Sequence, residues 1–220
     1  MSKEKIHVYF MPGMAANPSI FEYIKLPESK FEQHWMEWII PEVNESISSY
    51  SKRLAEQIKH ENVVLLGVSF GGIIVQEISK FLELRKLIIV SSVKTKFELP
   101  RRMKFAKKTK AYHLIPTRLA KSVDALAKYS FGKTVTKRIE LYRKYLSVND
   151  KIYLDWAIKQ VVNWQQEQPI DGIIHIHGEK DMVFPIKYIE GCITVKNGTH
   201  IMIINKYKWF NENLPKLILS

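Results

Sequence analysis

One stretch of the chain has the residue types and order to make a nucleophile. Gly67-Val68-Ser69-Phe70-Gly71 fits the pattern G-x-S-x-G. It follows an apolar, β-branched run at 63–66 and leads straight into a helix-compatible stretch. A serine on a tight turn between strand and helix presents its hydroxyl, and the flanking glycines let strand and helix approach without a Cβ clash. The helix N-terminus then aims free N–H groups at the oxyanion formed when a carbonyl is attacked. A purely structural turn is the competing reading. A phosphate loop is not, because neither G-x-x-x-x-G-K-[ST] nor G-x-G-x-x-G is present.

A serine hydroxyl is a weak nucleophile. It needs a base, and the base needs a carboxylate to orient it. Both follow Ser69 in the chain. Ile173-Ile-His-Ile-His-Gly-Glu-Lys-Asp181 reads as a strand running into a turn, and Ile193-Thr-Val-Lys-Asn-Gly-Thr-His200 as the next strand with a glycine turn. Asp181 would accept the Nδ1–H of His200, leaving Nε2 to take the serine proton. Glu179 is a second candidate for the acid, and the bland readings are a helix-capping Asp and a surface-loop His. The segment 91–94, after the strand pattern at 87–90, holds no acid. His175 and His177 alternate on one strand, so they either offer a pair of metal ligands or are satisfied strand residues. His7 lies in the first strand, and His34, His60 and His113 show no partner pattern. For the oxyanion, Phe70 supplies one amide. The other is expected from the loop Met11-Pro-Gly-Met-Ala-Ala-Asn-Pro, where Gly13 would let the backbone turn so that the Met14 N–H faces Ser69. The alternative for that loop is an ordinary Pro-Gly turn.

The elements that must position these residues alternate in period. β-rich runs occur at 6–10, 35–40, 63–66, 87–90, 173–176 and 193–195. Helix-compatible stretches lie between them at 18–24, 46–59, 70–82, 185–190 and 206–217. This alternation predicts an α/β fold with a mainly parallel sheet of about six strands, covered by helices on both faces. About 80 residues between 90 and 173 contain no convincing strand. Instead Val135, Ile139, Tyr142 and Leu146 share one helical face, and Leu154, Ile158, Val161 and Val162 share another. Residues 100–166 are therefore expected to form a helical cap inserted into a core made of 1–99 and 167–220.

Composition narrows the function classes. The 220 residues are 46% hydrophobic and 25% charged, the balance of a globular protein rather than a disordered one. The longest apolar run, at 63–75, is too short for a membrane span. Cys192 is the only cysteine, so an internal disulfide and a Cys-based metal cluster are excluded. No apolar signal region follows Met1, and a cytoplasmic location is expected. The net charge is +12, and residues 100–160 carry all of it, with 16 basic and 4 acidic side chains. Such a cap could steer an anionic substrate or carrier, or meet an anionic surface, or be a solvated basic face. No base-stacking aromatics accompany the basic run 101–110, so specific nucleic-acid reading is not expected.

The Gly67–Gly71 turn, His177-Gly-Glu-Lys-Asp181, Gly198-Thr-His200 and Met11-Pro-Gly-Met14, taken in this order, resemble the α/β-hydrolase fold superfamily. The resemblance covers about residues 5–98 and 168–218. It implies Ser69 as nucleophile, Asp181 as acid, His200 as base, and the Met14 and Phe70 amides as oxyanion donors, with no metal or cofactor. The basic insertion sits where the superfamily carries its lid. Its Phe105, Tyr112, Trp156 and Trp164 either line the substrate pocket or cement the lid to the core. The loop departs from the family pattern in having Pro12-Gly13 where His-Gly is frequent, and Ala15-Ala16 where a later glycine is usual, which makes Ala15 the alternative to Met14 as second donor. The expected activity is hydrolysis of a small-molecule carboxylic ester or thioester, anionic or carrier-linked if the cap steers it. A non-catalytic binding protein on the same scaffold, using the basic cap as its surface, is the alternative.

Overall fold

The structure, a computed structural model, describes residues 5–110 and 144–220. Six strands form one sheet: β1 (Ile6–Met11), β2 (Phe31–Trp35), β3 (Val63–Val68), β4 (Lys86–Val90), β5 (Ile174–Gly178) and β6 (Ile193–Val195). Their order is β2-β1-β3-β4-β5-β6, and every pairing is parallel. Strand order reverses between β1 and β3. In open parallel sheets the crevice beyond the strand C-termini at such a reversal is where ligands bind.

The central strands are buried on both faces, which explains their near-continuous apolar sequences. Tyr9 and Met11 of β1, with Val63 and Leu65 of β3, face one layer; Val8 and Phe10, with Val64, Leu66 and Val68, face the other. Over the first face lie α1 (Ile47–Ala55) and α2 (Phe70–Ile78). Ser46 caps α1 by accepting the Ser49 N–H at 3.0 Å. A basic helix, α3 (Arg101–Thr109), follows β4. The first face also receives α4 (Lys151–Asn163), which buries Tyr153, Leu154, Trp156, Ala157 and Val161 in the same cluster as the sheet. Over the second face lie the short α5 (Met202–Asn205) and the terminal α6 (Tyr207–Leu219), which buries Phe210, Leu214 and Ile218.

Several boundaries differ from the sequence expectation. The second strand is Phe31–Trp35, not 35–40. Residues 35–40 are the more β-prone, but pairing runs from Ile6↔Phe31 to Phe10↔Trp35, so the polar Glu32-Gln33-His34 becomes a sheet edge. A polar edge strand resists pairing with other chains. The expected helices at 18–24 and 185–190 are single 3-10 turns, Pro18–Phe21 and Ile186–Tyr188, too short to carry an amphipathic stripe. α1 and α2 stop at Ala55 and Ile78, and α6 continues through Pro215 to Leu219. Most of the stripe expected at 135–146 lies outside the described residues, as do His113 and Tyr112. Among the described residues no helix is long and apolar enough to cross a membrane.

Candidate active site

Ser69 sits between the end of β3 and the start of α2 with φ 55° and ψ −120°. A non-glycine residue held at positive φ is strained, and the surroundings must impose it. They do so from both sides. The Ser69 N–H donates to the Val90 carbonyl at 2.9 Å, and the Ser69 carbonyl accepts from the Gly72 N–H at 2.9 Å and the Ser92 hydroxyl at 2.7 Å. The flanking glycines are required by contact. A Cβ on Gly67 would run into the Gly71 carbonyl, and one on Gly71 into the Pro12 carbonyl. The turn thus presses the nucleophile candidate against the loop that follows β1.

His200 lies in the turn between β6 and α5. Its Nε2 is 2.9 Å from Ser69 Oγ, and its Nδ1 is 2.8 Å from Asp181 Oδ2. The structure therefore brings together three side chains separated by up to 131 positions. Gly178 and Gly198 make this possible, because a Cβ on Gly178 would lie 2.6 Å from the Gly198 oxygen. Asp181 follows β5 and is buried. Its Oδ1 accepts the Val183 N–H at 2.8 Å and the Phe184 N–H at 2.9 Å, leaving Oδ2 to His200. Burial pushes this carboxyl up. The facing His200 charge and hydrogen bond, with the backbone donors, outweigh it and hold the group below the usual aspartate range. Glu179 instead accepts the Asn197 N–H at an exposed turn.

The strand histidines stand behind the acid. His175 Nε2 and His177 Nδ1 are 3.0 Å apart, and His177 Nε2 donates to the Phe184 carbonyl at 2.8 Å. His177 Nε2 also approaches Asp181 Oδ2 at 3.6 Å. These two residues bond to one another and to the backbone of the acid's own turn. Burial, followed by the His177 imidazole, pushes His175 down to about 3; burial also lowers His177.

The loop after β1 forms the other wall. An ideal Cβ on Gly13 would lie 3.4 Å from Ser69 Cβ, so the backbone passes beside the hydroxyl. Ala15 has φ 62°, a left-handed conformation that favours glycine. Trp38, expected within the β-rich run 35–40, lies beyond β2 and clamps this loop. Its indole N–H is shared between the Gly13 and Ala16 carbonyls, both at 3.1 Å. Its ring stacks on Phe70 with centroids 5.3 Å apart. One side chain thus links the loop after β1 to the first residue of α2. Only its aromatic type was visible in the sequence.

No protein-family model matches the chain, and no curated protein sequence does. Solved structures do. A bromoperoxidase from Bacillus anthracis superimposes with TM-score 0.68 at 19% identity, over 99% of this chain and 93% of its own. A carboxylesterase of the thaumarchaeon Nitrososphaera gargenis gives 0.72 at 15%, over 98% and 90%. The enol-lactonase from Burkholderia xenovorans gives 0.71 at 13%, over 99% and 92%. The chain has the α/β-hydrolase fold.

In this α/β-hydrolase fold the described aromatics of the expected cap take different places. Trp156 and Trp164 are buried, and each indole N–H is used to hold α4 to the core. Trp156 donates to the Glu45 carbonyl at 2.8 Å and lies 6.0 Å, ring to ring, from Phe70. Trp164 donates at 2.8 Å to Glu77 of α2. Phe105, on α3, is 66% exposed. Residues 145–148 also grip the loop after β1. The Asn17 N–H donates to the Tyr145 carbonyl at 2.9 Å, and the Val148 N–H to the Ala15 carbonyl at 3.0 Å.

Proposed function

We propose that the protein is a serine hydrolase that cleaves a carboxylic ester or thioester through an acyl-enzyme. The observation that carries this reading is the continuous hydrogen-bonded chain Ser69–His200–Asp181, with Ser69 held at positive φ. Ser69 Oγ attacks the carbonyl carbon while His200 Nε2 takes its proton. The tetrahedral oxyanion is held by the amides of Phe70 and Met14, with Ala15 as the alternative second donor. The first-turn amides of a helix lack intrahelical acceptors, which suits Phe70 for this task. His200 then gives its proton to the departing alcohol or thiol. Water, deprotonated by the same imidazole, hydrolyses the acyl-enzyme and frees Ser69.

Residues 100–166 act on this reading as the cap over the acyl or alcohol pocket. Phe105, Tyr112, Trp156 and Trp164 are its aromatic candidates, with Trp156 the best placed because its ring approaches Phe70. The similarity to an esterase and a lactonase favours carbonyl substrates of ester type, and the basic cap favours an anionic or carrier-linked one. Intact mass after fluorophosphonate treatment tests the chemistry. One adduct is expected on the wild type, mapping to Ser69 and absent in Ser69→Ala. No adduct on folded wild type would overturn the proposal. Ester and thioester panels at rising ionic strength then test the cap, since steering by it weakens with salt.

A further inference from the structure

Three histidines without any sequence spacing in common meet at the far end of the sheet. His7 is near the start of β1, His34 is on β2, and His60 lies in the loop leading to β3. Glu32 is paired in register with His7. One ligand atom from each of His7, Glu32, His34 and His60 lies within 4.8 Å of every other. His7 Nδ1 is 3.0 Å from His34 Nε2, and His34 Nε2 is 3.8 Å from Glu32 Oε1. The His7 and His60 rings stack at 3.8 Å.

We infer that His7, Glu32, His34 and His60 form a structural binding site for a divalent transition-metal ion of the zinc type. Three imidazoles and one carboxylate are the donor set that suits zinc and its neighbours rather than calcium or magnesium. Zinc holds such ligands at about 2.0–2.1 Å, which puts them roughly 3.3 Å from one another. The His7–His34 pair already has that separation, and rotation of half-exposed or exposed side chains brings in the others. His60 Nδ1 is engaged by the Tyr9 hydroxyl at 2.7 Å, which leaves Nε2 for the ion in the way that outer partners orient metal-bound imidazoles.

Four protein ligands make a closed site, and closed sites are structural. The ion would staple the polar edge strand β2 to β1 and to the lead-in of β3. This does not depend on the serine chemistry. His7 and Met11 stand at opposite ends of β1, about 13 Å apart along the strand, and the catalytic loop follows Met11.

The test uses the tag-free full chain, stripped with chelator and titrated with Co2+ as a spectroscopic probe, then with Zn2+ in competition. The wild type is expected to bind one Co2+ per chain with the d–d absorption of a four-coordinate ion, and Zn2+ to displace it. His34→Ala and His60→Ala should each weaken binding by about 100-fold or more. Glu32→Gln, an exposed change that leaves the fold intact, should weaken it by about 10-fold and alter the spectrum. Zn2+ should raise the thermal midpoint of the wild type but not of His34→Ala. Chain whose Ser69 carries a fluorophosphonate should bind the same one equivalent. Absence of binding at millimolar Co2+, or binding unchanged in His34→Ala, His60→Ala and Glu32→Gln, would overturn the site.

Discussion

Asp181→Asn is the sharpest perturbation of the proposed mechanism, because the structure dictates which way the new amide must face. In the wild type Oδ1 takes two backbone N–H groups, from Val183 and Phe184, while Oδ2 faces His200 Nδ1. An asparagine keeps the first two bonds only if its oxygen stays in the Oδ1 position. Its NH2 then points at His200 Nδ1, which must become an acceptor, and the imidazole proton moves to Nε2. That nitrogen faces Ser69 Oγ at 2.9 Å and can no longer take a proton from it. The flipped amide would set its NH2 against two N–H donors in a buried site, at about 1–3 kcal/mol for each group left unsatisfied. The wrong tautomer therefore prevails. Its effect is of the order of 10⁴ in kcat, as when a triad carboxylate is neutralised, which corresponds to about 5 kcal/mol of transition-state stabilisation. Steady-state hydrolysis of a short-chain aryl ester and the rate of fluorophosphonate labelling should fall together, with KM little changed. An Asp181→Asn enzyme within about tenfold of wild type would refute the assignment of Asp181 as the orienting carboxylate.

Other expectations follow from named contacts. Trp38→Phe keeps the stack on Phe70 but releases the Gly13 and Ala16 carbonyls; kcat should drop by roughly 10-fold or more with a smaller change in KM, because a donor that moves by an ångström loses its grip on the oxyanion. Gly71→Ala drives a methyl into the Pro12 carbonyl, so ester hydrolysis should be lost even where circular dichroism shows a folded chain. Trp164→Phe leaves Glu77 without its indole donor and should lower the unfolding free energy by about 1–3 kcal/mol in urea titrations. His175 has its folded pKa depressed to about 3, so the unfolded chain binds the extra proton below about pH 6.5 and stability falls as pH falls through that window. The loss should reach about 2 kcal/mol by pH 5, read as a shift in urea midpoint that His175→Gln reduces.

The reach of the sequence varied with how local the cause was. The turn at Ser69 was legible because its residues form one short pattern and Gly67 answers to Gly71 only four residues on; that Gly71 answers to Pro12, on the loop after β1, was not. Chain order also pointed to Asp181 and His200, since each follows a β-rich run and a glycine. The location of β2 was not legible. Residues 35–40 have the stronger β composition, but the register with β1 selects Phe31–Trp35, and no local propensity encodes that partner. Trp38 was hidden for the same reason, as its bonds go to Gly13 and Ala16 on the loop after the neighbouring strand β1. Trp156 and Trp164 were ambiguous between pocket and cement because burial depends on what α4 covers. The cluster of His7, His34 and His60 exists only once β1, β2 and the approach to β3 are side by side.

β4 has its inner partner β3 before it in the chain but meets its outer partner β5 only much later, which matters as the chain leaves the ribosome. The Lys86–Val90 strand is apolar on both faces, and its outer edge is covered by Ile174–Gly178, more than eighty residues later. Until that stretch has been synthesised, the nascent protein displays an unpaired, sticky β-edge, the kind of template on which chains aggregate. Ribosome-stalled or prematurely terminated products ending before the fifth strand should therefore be chaperone clients. They would also lack Asp181 and His200, the proposed acid and base.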